Sequence, residues 1–113
     1  MSEYTLGEIR NEFMDLPINV RMYIMNNNNI YNIMTIAITH TTVDITGVLQ
    51  VNQSRETKLV RDLEEIMTDV NNNKRVRIRL YVDGIIVLFR LVEIDTSNMN
   101  EEGKIIIRVE NLS

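Results

Sequence analysis

Residues 75–92 read RVRIRLYV, then DG, then IIVLFRLV, and the reading of this stretch decides the fold. Two runs of alternating or continuous apolar residues flank Asp83-Gly84, a dipeptide suited to the two-residue turn of a β-hairpin. Such a turn sets the register: Val82 faces Ile85, Leu80 faces Val87, Ile78 faces Phe89 and Val76 faces Leu91. That face is wholly apolar and is assigned to the core. On the other face Tyr81 opposes Ile86, Arg79 opposes Leu88, Arg77 opposes Arg90 and Arg75 opposes Val92.

Upstream of the hairpin, Leu59, Leu63, Ile66 and Val70 recur at helical spacing, with Glu56, Arg61, Asp62, Glu64, Glu65 and Asp69 on the wet side. Asn71-Asn72-Asn73 ends that helix, since asparagine tolerates the left-handed backbone found after helices. Downstream, the polar loop Asp95–Gly103 leads to a last strand at Lys104–Glu110. The same order is present earlier in the chain. Thr5-Leu6-Gly7-Glu8 spells a capping box, Leu6, Ile9, Phe13 and Leu16 share one helical face, and Pro17 stops the helix. Strand signals follow at Asn19–Met25, Tyr31–Thr39 and Val43–Leu49, with Ile33 out of phase with Met34, Ile36 and Ile38. The expected fold is therefore α+β: two tandem αβββ units, residues 5–51 and 54–110, forming mostly antiparallel sheet with both helices packed on one side. With one proline and no Gly/Ser linker, residues 1–113 are expected to form a single domain.

Composition narrows the function classes. The 113 residues are 44% hydrophobic and 25% charged, as in globular domains. No run of about 18 uncharged apolar residues offers a membrane span. Residues Met1 to Tyr4 lack the features of a signal peptide. Cysteine is absent, which removes disulfides, thiolate metal sites and cysteine nucleophiles, and the expected location is the cytoplasm. Asn and Ile have AT-rich codons, and their heavy use points to an AT-rich genome such as that of a phage, virus or mobile element.

The net charge of −4 is unevenly spread. Residues 1–53 carry Arg10 and Arg21 against Glu3, Glu8, Glu12, Asp15 and Asp44, whereas residues 74–92 carry Lys74, Arg75, Arg77, Arg79 and Arg90 against Asp83 alone. Between Ile30 and Gln50 the one ionised residue is Asp44. The basic stripe falls on the outer face of the hairpin, so Arg75, Arg77, Arg79, Tyr81, Leu88 and Arg90 form the candidate binding set. Two arginines opposed across strands repel unless something neutralises them. Three answers are open: internal carboxylates (Glu93, Glu110 or one from the first unit), a protein partner or second copy, or a nucleotide or nucleic acid. Arginine and tyrosine beside aliphatics is the composition of protein interfaces. Sheet faces carrying arginine and aromatics also bind bases and phosphates. The acidic total charge argues against duplex DNA.

No catalytic signature stands beside this face. His40 is the single histidine and falls at a turn, so neither a triad nor a zinc site can be built on it. The oxygen-rich loop from Asp95 to Glu102 lacks the order of a calcium loop. Glycines at 7, 47, 84 and 103 are too scattered for a phosphate-binding loop. Glu64-Glu65 lies on a mixed-charge helix face, and the seven methionines read as core filler. The expectation is a non-enzymatic, homo-oligomeric binding protein without cofactor or metal, acting through a protein-interaction surface as a phage- or mobile-element-encoded inhibitor or regulator. The alternative is a sensor or sequestering protein for a small anionic nucleotide.

Overall fold

The structure, a computed structural model, describes residues 4–50, 56–69 and 73–112. The expected unit boundaries at 51 and 54, Val70 at the end of the second helical stripe, and Asn71 and Asn72 lie outside the described residues. Along the chain run β1 (Tyr4–Thr5), α1 (Leu6–Met14), β2 (Arg21–Asn26), β3 (Asn29–Ile38), β4 (Thr42–Leu49), α2 (Val60–Asp69), β5 (Arg75–Val82), β6 (Ile85–Asp95), α3 (Met99–Glu102) and β7 (Lys104–Asn111).

The strands form one sheet in the order β1-β5-β4-β3-β2-β7-β6, and β5 also pairs with β6, so six of them close into a barrel. This corrects the α+β expectation. The helices do not lie across an open sheet, and two of the seams, β4 with β5 and β2 with β7, are parallel. The physical reason lies in the edges. Meanders β2–β3–β4 and β5–β6–β7 each have one apolar face and two unpaired outer strands. Joining them by two parallel seams pairs those strands and turns both apolar faces onto each other.

Bends make closure possible. β6 pairs with β5 from Ile85 to Phe89, then swings to β7 through a bulge between Leu91 and Glu93. A second bulge, between Ile33 and Thr35 on β3, is the phase break visible in the sequence at Ile33. There β2 and β3 part, and residues 57–59 fill the gap. Lys58 N–H donates to the Ile33 carbonyl, Met22 N–H donates to the Lys58 carbonyl, and the Thr57 hydroxyl accepts from Ile33 N–H. Where β6 leaves β5, β1 takes its place, with Tyr4 opposite Val76 and Thr5 opposite Arg75.

The helices stop one end of the barrel. The capping box forms as expected: Glu8 N–H donates to Thr5 Oγ1 and Thr5 N–H donates to Glu8 Oε1. α1 turns Leu6, Ile9 and Phe13 inward, and α2 turns Val60, Leu63 and Met67 inward. All six belong to one buried cluster with Ile24, Ile33, Ile45, Ile78, Leu80, Phe89 and Ile107 of the strands. Ile9 and Phe13 share a residual cavity of about 10 Å³ with Ile45, Ile78 and Ile107, which places α1 against the bore itself.

The bore has no slack at its other end. A β-carbon built on Gly47 would lie 2.8 Å from Leu80 Cδ2, 3.2 Å from Tyr31 Cβ and 3.3 Å from Ile24 Cδ1. Gly47→Ala is therefore expected to cost about 1–3 kcal/mol by overpacking, although alanine has the better intrinsic propensity. Urea denaturation gives the value, and an unchanged midpoint would mean the bore is looser than drawn.

Candidate interaction surface on the barrel wall

The outer wall over β4, β5 and β6 is laid out by register. Ala37, Asp44 and Arg77 form one cross-strand row, and Thr35, Thr46, Arg79 and Leu88 form the next. Tyr81 and Ile86 form a third, nearer the Asp83-Gly84 turn. Both turn residues have positive φ, at 53° and 80°, as the expected hairpin turn requires.

The expected opposition of Arg77 and Arg90 does not occur. Pairing of β5 with β6 ends at Ile78 and Phe89, and the two arginines are drawn to different carboxylates. Asp44, on the outer side of β4, is only 2% exposed because Arg77 and Arg79 of the neighbouring strand lie over it. Arg77 donates from Nε and Nη2 to the two carboxylate oxygens at 2.8 and 2.9 Å. Arg79 reaches Oδ2 through Nη1 at a long 3.5 Å. The hydrogen bond from Arg77 lowers the Asp44 pKa below its ordinary value. Burial works against this, while Thr42 and the two positive charges add to it. Arg90 turns to β7, where its Nε donates to Glu110 Oε1 at 2.8 Å. Arg75 stands opposite Thr5 and Thr42 at the helix end and is also engaged.

Of the six residues singled out in the sequence, Arg77, Arg79, Tyr81 and Leu88 lie in adjoining rows. Arg75 and Arg90 lie off that patch, at the start of β5 and beside β7. Of the three answers open for the arginines, internal carboxylates are what the structure shows: Glu110 for Arg90 and, from the first unit, Asp44 for Arg77 and Arg79. The signal for Asp44 was present, as the lone charge in a 21-residue stretch, but its partner could not be read without the parallel seam.

The wall also keeps apolar surface in water: Tyr81 is 38% exposed, Ile86 37% and Leu88 36%, with Ile85 at the turn 66%. Two other concavities among the described residues carry no convergent chemistry. A groove of about 400 Å³ between the helices is lined by Met14, Ile18 and Met67 with Arg10, Arg61, Glu64 and Glu65. A polar hollow of about 330 Å³ is lined by Asn26, Asn27, Arg90, Glu110 and Asn111, where Arg90 is already paired.

Among the described residues no group of three or more His, Cys, Asp or Glu is placed to hold a metal ion. The acidic loop is internally committed. Asp95 Oδ1 accepts from the Ser97 hydroxyl and backbone N–H, and Arg108 donates to Oδ2 at 2.8 Å. These bonds, those from Ser97 foremost, pull the Asp95 pKa from 3.8 down to about 2. A depressed carboxyl stabilises the fold fully above its unfolded value and loses that contribution as pH falls toward the folded one. A carboxyl-carbon NMR titration should therefore place the Asp95 midpoint near pH 2, and a midpoint near 4 would remove the Ser97 and Arg108 bonds. No helix among the described residues is long and apolar enough to cross a membrane.

Compared with protein-family models, curated proteins and solved structures, the chain matches none. The geometry of the wall is thus what a functional reading must rest on.

Proposed function

We propose that this chain is a small non-enzymatic binding protein that docks a protein partner on the outer face of β5 and β6, acting in the cytoplasm as an inhibitor or regulator. The observation that carries the reading is the row structure itself. Tyr81, Ile86 and Leu88 stay exposed side by side, while the arginines around them are steadied by Asp44. A rigid aromatic and aliphatic centre with partly buried arginine beside it is what contact hot spots are made of. A small anionic nucleotide finds less support, because Arg77, Arg79 and Arg90 already share the charges of Asp44 and Glu110.

Affinity capture from producing cells, wild type against Ile86→Lys with Leu88→Lys, tests this. The double variant should stay folded, since both positions face water, and the proteins captured by the wild type should be lost. An identical set of captured proteins would sink the reading. A thermal-shift screen of mono-, di- and cyclic nucleotides should be flat, whereas stabilisation growing with ligand concentration would replace the protein partner by the nucleotide.

A further inference from the structure

Resting on the reading of the β5–β6 wall as a contact surface, we propose that its occupant is a second copy of this chain, stacked about a two-fold axis so that Arg79 of each copy meets the partner's Asp83. The face is self-complementary. Arg79 and Tyr81 of β5 and Asp83 of the turn that follows stand at two-residue steps in the chain, a cation, an aromatic ring and an exposed anion at the tip of the same hairpin. An isologous contact reverses this order in the second copy. With the axis near Tyr81, both ends pair cation with anion, while Tyr81 and Ile86 of the two copies meet at the centre.

The two charged ends are both under-used within the chain. Among the described residues Arg79 makes one polar contact, the 3.5 Å approach to Asp44, whose Oδ2 already accepts from Arg77 at 2.9 Å. A guanidinium carries five donors, and the Arg79 side chain keeps 29% of its surface exposed, so donors remain for a second carboxylate. Asp83 is exposed, and its carboxylate has no hydrogen bond or ion pair among the described residues. Nor does the turn need its charge, since asparagine or glycine serves the same positive φ. The hairpin is held by its turn and by β4, so stacking it demands little ordering.

Sedimentation equilibrium of the full chain, from micromolar concentrations upward, tests the stack. The wild type should approach dimer mass. Asp83→Asn, which keeps the turn, should raise the dissociation constant about tenfold, and Asp83→Lys and Ile86→Lys should sediment as monomers. Arg79→Glu should also be monomeric, yet mixed with Asp83→Lys it should restore dimer, because the mixed pair has complementary charges at both ends. If Arg79→Glu fails to fold beside Asp44, shown by circular dichroism, Asp83→Asn and Ile86→Lys decide. A wild type at monomer mass throughout overturns the proposal, as does a dimer unaffected by Asp83→Lys and Ile86→Lys. The two readings fail separately: a monomeric wild type whose captured partner is still lost on substituting Ile86 and Leu88 removes the dimer and keeps the surface, whereas an unchanged captured set with a monomeric wild type removes both.

Discussion

Phe13→Ala should destabilise the protein by about 3–5 kcal/mol, the range for emptying a large aromatic site in a core that cannot collapse. Phe13 is 1% exposed and sits where α1 meets the bore, against Ile45, Ile78 and Ile107. The surrounding strands are tied into a closed ring, so they have little freedom to move inward and fill the space. Met14, the next residue, is 52% exposed and provides the internal control. Its replacement by alanine should cost under about 1 kcal/mol. Both values come from denaturant titration, and equal small losses would mean that α1 rests loosely on the barrel instead of plugging it.

Arg77→Gln should cost about 3 kcal/mol, whereas Arg90→Gln should cost under about 1 kcal/mol, although both remove one arginine from the same hairpin. The difference is the carboxylate left behind. Glu110 is exposed and rehydrates when Arg90 is gone. Asp44 is buried and keeps only Thr42 and the distant Arg79 when Arg77 is gone. The dependence on pH separates the causes. In the wild type the Asp44 pKa is lowered, so its contribution is complete above the ordinary value of 3.8 and is lost as pH falls through the folded value. In Arg77→Gln the largest lowering cause is gone, and only Thr42 and the charge of Arg79 still oppose burial. The deficit should then be largest near neutrality and shrink on acidification, as the protonated carboxyl no longer needs a cation. A pH-independent loss, or equal losses for the two variants, would contradict the buried pair.

The capping box at Thr5 and Glu8 is written in local sequence because residues three positions apart satisfy it, and the bulge on β3 shows locally as a phase break at Ile33, although the distant Thr57 and Lys58 complete it. Equally local is the hairpin register from Ile78 and Phe89 to Val82 and Ile85, which follows from the two-residue turn. Local pattern also marks which face of each strand is apolar, but not what that face packs against. An open sheet under two helices and a barrel stopped by two helices satisfy the same alternation. Closure depends on the parallel seams of β4 with β5 and β2 with β7, which join residues about 30 or more than 80 positions apart and leave no periodic trace. Those seams also rewrote the candidate site. Arg77 and Arg90 look opposed in the extended hairpin, and only the departure of β6 toward β7 separates them, while only the β4 seam brings Asp44 beneath Arg77 and Arg79. The residue types of the wall were thus settled by sequence, and their partners by tertiary structure, because an ion pair across a seam is a long-range contact with no local signature.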